Sequence, residues 1–80
     1  MTRAEWWNLV HVHQLELKTI VKGFCGKEDA SAFTVKVEEH NAPLVHSVLF
    51  KAWDKAPDRP GIHALPSWAV LCDLLSEYEP

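Results

Sequence analysis

The side chains in this sequence with chemistry to offer are five histidines and two cysteines among 80 residues. His11 and His13 form an H-x-H pair, which points two imidazoles the same way on a strand but about 200° apart on a helix. His40 and His46 lie close enough to meet across a turn, with no third ligand fixed beside them. A structural zinc site takes four ligands, commonly in close pairs such as C-x-x-C, and neither Cys25 nor Cys72 has a cysteine neighbour. A His/Cys metal-binding module is therefore an alternative reading, and the primary expectation is no metal and no cofactor. His13 lies inside an apolar arc between Leu9 and Leu17, the setting of a neutral core histidine. Nucleophilic catalysis needs a thiol or hydroxyl beside an oriented base. Cys72 sits between apolar neighbours, as inert thiols do. Cys25, beside Gly26 and Lys27, is expected to be more exposed, and a nearby lysine lowers a thiol pKa. Eighty residues leave little room for a sheltered pocket, so the chain is expected not to be an enzyme.

The four tryptophans point elsewhere. Trp6, Trp53 and Trp68 have places on apolar helix faces, whereas Trp7 and Phe50 fall outside the arcs of their helices. Large aromatics that a core does not need are common anchors of protein interfaces. Asp73, Glu77 and Glu79 cluster near the C-terminus, where negative charge opposes the helix dipole and suits a basic partner surface. Trp7, Phe50, Asp73, Glu77 and Glu79 are the candidate partner-binding residues.

These groups must be positioned by a few short elements. Thr2 and Glu5 form a capping-box pair, and Trp6, Leu9, Val10, Leu17, Ile20, Val21 and Phe24 share one helical arc. The pattern predicts one long helix over residues 3–22, ended by Gly23 in a left-handed conformation. The alternative is an N-terminal β-hairpin, since Val10 to Val21 is rich in β-branched residues. Residues 25–31 read as a polar loop. Phe33, Val35 and Val37 alternate with Thr34, Lys36 and Glu38, the period of two of a half-buried strand. Asn41 can cap a following helix, Pro43 falls in its first turn, and Val45, Val48, Leu49, Ala52, Trp53 and Ala56 form its apolar arc. The run DKAPDRPG at 54–61 stops that helix, and Leu65-Pro66-Ser67 opens a last one with Trp68, Val70, Leu71, Leu74, Leu75 and Tyr78 on its core face. The expected fold class is α+β: one small domain over 1–80, with a long N-terminal helix, a central strand running into an amphipathic helix, and a C-terminal helix. A lone strand would pair with its copy in a second chain, so a homodimer is expected.

With 48% hydrophobic and 24% charged residues the composition is that of a globular protein, and no run approaches the roughly 20 apolar residues of a membrane span. No signal-peptide pattern opens the chain, and two widely separated cysteines do not form a disulfide framework, so a soluble cytoplasmic protein is expected. The net charge of −3 disfavours nucleic acid. Strand, helix, helix is also the order of a ribbon-helix-helix repressor, with Thr34, Lys36 and Glu38 facing the bases, which gives a DNA-binding regulator as a second alternative. The primary reading is a non-catalytic protein-binding module acting as a steric inhibitor or adaptor of a larger complex. It is similar in size, acidity and lack of motif to inhibitors encoded by phages and mobile elements, anti-CRISPR proteins among them.

Overall fold

A computed structural model describes residues 1–56 and 66–78. Those residues form helices α1 (Arg3–Val12), α2 (Gln14–Cys25), α3 (Lys27–Glu38), α4 (Ala42–Lys55) and α5 (Pro66–Ser76), and they contain no strand. The α+β expectation is therefore overturned, and so are the N-terminal hairpin and the strand at 33–38. Most of the connection at 54–61, together with Leu65 and Glu79, lies outside the described residues. No described helix is long and apolar enough to cross a membrane.

The strand fails because the alternation at Phe33, Val35 and Val37 is only part of a longer pattern. Ala30, Phe33 and Val37 are buried at spacings of three and four, while Val35 points outward. Residues 27–31, KEDAS, which the sequence pattern assigns to a loop, belong to the same helix. Glu28 and Asp29 fall in its first turn and Lys36 in its last, each at the favourable end of the dipole. The Thr34 hydroxyl donates to the Ala30 carbonyl at 3.3 Å, so even this β-branched residue is satisfied within the helix. Strand propensity spans only about 1 kcal/mol, less than burying one large side chain such as Phe33 contributes.

The first helix is likewise two helices. The capping box forms as expected: the Glu5 N–H donates to Thr2 Oγ1 at 3.1 Å and the Thr2 N–H to Glu5 Oε1 at 3.3 Å. The chain then turns at His13, whose ψ of 17° departs from helical geometry. His13 is half-buried at this junction instead of sitting in the core. The turn lets α1 lean onto α5 while α2 packs against all four other helices. Gly23 does not end α2. That role falls to Gly26, with φ of 99°, which leads directly into α3.

Asn41 caps α4 as expected, accepting the Leu44 N–H at 3.3 Å, and Pro43 stands in the first turn. Just before it, α3 closes in a Schellman motif: the Asn41 N–H donates to the Lys36 carbonyl and the His40 N–H to the Val37 carbonyl, with His40 at φ of 53° where glycine is usual. The core gathers Trp6 and Val10 of α1, Leu17 and Val21 of α2, Phe33 and Val37 of α3, Val45 and Leu49 of α4, and Trp68, Leu71 and Leu74 of α5.

The two glycines provide a test of this chain path. A Cβ at Gly23 meets no atom within 4 Å and lies in regular helix, so Gly23→Ala should stabilise the protein by about 0.5–1 kcal/mol. At Gly26 the space is open too, but the positive φ strains any L side chain, so Gly26→Ala should destabilise by about 1–2 kcal/mol. Urea midpoints of the two variants are expected to move in opposite directions. A helix ending at Gly23 would reverse the signs.

Candidate functional site

Two stripes of residues, each one position on from a buried stripe, build an apolar hollow on the surface. On α4, Val45, Leu49 and Ala52 face the core, so His46, Phe50 and Trp53 are carried about 100° round the helix. On α5, Trp68, Leu71 and Leu74 are buried, and Cys72 and Leu75 are carried to the same flank. Packing of α4 on α5 brings the flanks together around a hollow of about 390 Å³, completed by Ser76. Phe50 and Trp53 stand at its mouth 49% and 44% exposed, with ring centroids 5.8 Å apart. The His46 ring stacks on Tyr78 at 4.4 Å and 26°. Burial pushes the Cys72 thiol above its ordinary value and Asp73 adds to the effect, while a hydrogen bond from the Trp53 indole works against both.

A second hollow, of about 340 Å³, lies where the start of α1, the start of α4 and the end of α5 converge, with Trp6, Trp7, His40, Pro43, Tyr78 and Arg3 among its walls. Trp7 is part of the packing here. Its ring meets Trp6 edge-on at 5.1 Å and lies 5.0 Å from His40 and 5.9 Å from His11. His40 thus holds its left-handed backbone in a cluster of rings, with His11 at 5.7 Å. Tyr78 borders this hollow and stacks on His46 of the other, so the two hollows adjoin.

The expected site residues are therefore divided. Phe50 stands free on the surface as the wheel implied, but Trp7 is half-buried against Trp6. Trp53, expected in the core, is the exposed neighbour of Phe50. The apolar arc read from the sequence spans five residues of α4 and its C-cap Ala56, whereas the stripe that is actually buried spans three, and Trp53 lies at its edge. The spacing of Phe50 and Trp53, three apart on one helix, was the available signal. Asp73 is exposed on α5 and Glu77 just past its end; Glu77 lies 3.7 Å from the amino group of Met1, and Glu79 is outside the described residues.

Neither cysteine is activated. Cys25, expected to be lowered by a neighbouring lysine, is half-buried at the end of α2, and its thiol is raised by burial and by Asp29 against the weaker pull of Lys55 and Lys51. Both thiols are unpaired. Among the described residues no three His, Cys, Asp or Glu side chains come together to hold a metal ion.

What these features define is a small helical domain with an aromatic-lined apolar groove. No protein-family model, no curated protein and no solved structure matches the chain.

Raised thiol pKa values mean less thiolate at neutral pH. At pH 7.5 iodoacetamide should modify both cysteines more slowly than free cysteine, and urea should bring them to the free rate. Trp53→Ala, which uncovers Cys72 but also removes the hydrogen bond that favours its thiolate, should change the rate at Cys72 and leave Cys25 unchanged. Equal acceleration at both would mean that the variant had loosened the whole fold.

Proposed function

We propose that this protein is a non-catalytic protein-binding module, a steric inhibitor or adaptor of a larger complex, and that it docks through the groove between α4 and α5. The observation that supports the reading is the exposed Phe50–Trp53 pair at the mouth of an apolar hollow. Val12, Leu15, Val35 and Leu44, the other large apolar side chains exposed among the described residues, line neither hollow, whereas here two large aromatics flank a concavity into which a partner side chain can insert. Aromatic anchors beside a pocket are the groups that carry most of the energy at protein interfaces. Two unpaired cysteines suit a reducing compartment such as the cytoplasm. The ribbon-helix-helix alternative loses its basis, because the segment that would enter the groove of DNA is α3, and the homodimer expected from strand pairing loses its basis with it.

Phe50→Ala and Trp53→Ala should each weaken partner binding by more than about 1 kcal/mol with little change in melting temperature. The check is affinity capture from lysate of the source cell, comparing the natural protein, Phe50→Ser/Trp53→Ser, and Leu15→Ser as a control at an exposed residue of α2 (77% exposed). A protein recovered with the natural chain and with Leu15→Ser, and lost with the double variant, is the expected outcome. Recovery that is indifferent to Phe50 and Trp53 would remove the groove as the docking face.

A further inference from the structure

We infer that the α4–α5 groove receives a basic amphipathic helix of a partner protein. The inference rests on the reading of the groove as the docking face and adds the chemistry of what docks there.

The floor and mouth of the groove are apolar and linear. His46, Phe50 and Trp53 follow one another over two turns of α4, a run of about 10 Å, opposite Cys72 and Leu75 on α5. A helix laid along such a trough offers apolar side chains at intervals of three and four residues, which matches the spacing of the walls. An apolar face alone does not choose among occupants. The lips do.

On the α4 side the acidic residue beside the walls in the helix is Asp54, which follows Trp53 and lies one turn beyond Phe50. On the α5 side it is Asp73, which follows Cys72; Glu77, just past Ser76, lines the second hollow beside the Met1 amino group. All three are exposed, and neither Asp54 nor Asp73 takes part in an ion pair among the described residues. The cations of α4 are turned the other way. Lys51 is bound to Asp29 of α3 at 2.8 Å, and Lys55 lies near enough to Cys25 of α2 to act on its thiol. Among the described residues the groove is thus an apolar trough flanked by acidic positions, with no lysine or arginine in its lining, in a chain of net charge −3.

That pattern discriminates. A second copy packed groove to groove would set Asp54 and Asp73 against an identical acidic pair. An anionic membrane surface or a nucleic acid would meet the same repulsion. A helix with an apolar face and lysines or arginines along its margins answers both the floor and the lips, and the acidic margins speed its approach.

The test uses the full chain and three synthetic peptides of about 18 residues: a leucine/lysine amphipathic helix, the same peptide with glutamate for lysine, and a leucine/lysine sequence shuffled so that the leucines lose their helical phase. Binding is read by calorimetry and by amide shifts in 15N spectra. The phased leucine/lysine helix should bind and shift amides within residues 46–54 and 72–76. Its affinity should fall several-fold between about 50 and about 500 mM salt. Phe50→Ser/Trp53→Ser, which keeps the net charge, should weaken it about tenfold, and Asp54→Asn/Asp73→Asn should do so by a similar factor. The second pair changes only exposed residues, so it tests the lips even where the first disturbs folding. Equal binding of the glutamate or the shuffled peptide, binding unaffected by either pair of substitutions, or shifts confined to other helices would overturn the proposal. So would self-association of the protein that shifts the same amides, since the groove would then hold a second copy. Failure of the leucine/lysine helix while cellular capture still depends on Phe50 and Trp53 rejects the basic helix and leaves the docking face standing. Failure of both rejects both.

Discussion

The indole of Trp6 reaches across the bundle and donates to the backbone carbonyl of Leu74 at 2.9 Å, joining residues 68 positions apart. Leu74 lies in the last turn of α5, where carbonyls have lost their intrahelical partners, and the bond is buried. Leaving that acceptor unsatisfied would cost about 1–3 kcal/mol, a large share of the stability of a domain this small. Much else follows from the bond. For the Trp6 indole to lie over the end of α5, α1 must diverge from the line of α2, and it does so at His13. With α5 held at its C-terminal end, its flank meets that of α4, and the groove has its second wall. Tyr78, 5.3 Å from the Trp6 ring, continues the same contact onto His46.

Around that tie the aromatic residues divide between two tasks. Trp6, Phe33 and Trp68 fill the centre, and Trp7 covers Trp6 from outside together with His11 and His40. Phe50 and Trp53 remain at the surface although the core has several smaller members. In a chain that buries only about 60% of the surface its unfolded form exposes, leaving two large aromatics half in water forgoes stabilisation that the fold could use. The proposed docking role would account for their position, and Lys51 is held against Asp29 of α3.

The legible parts of the sequence were those set by neighbours in the chain. Thr2 with Glu5, Asn41 with Leu44, Pro43 in a first turn and the core face of α5 all involve groups within one or two turns of each other, and each formed as the pattern implied. The α3 segment was misread because Phe33 and Val37 are two apart from Val35 and four apart from each other, so the same residues satisfy a strand and a helix. Only Ala30, a small residue with a weak hydrophobic signal, distinguishes them. At the glycines, two candidates three residues apart could each end α2, and φ at Gly26 shows which does.

By itself, then, the sequence determined the existence of α4 and α5, the caps at Thr2 and Asn41, and the division of α4 into an apolar arc with Phe50 outside it. These depend on side chains that act on backbone within reach of a turn or two. Tertiary structure alone decided that residues 27–38 are helix, that the first arc bends at His13, that Trp7 is packed and Trp53 exposed, and that α4 and α5 enclose a groove. Each of those outcomes turns on which surface a helix meets. An apolar arc records that a face can be buried, and only the neighbouring helix settles how much of it is.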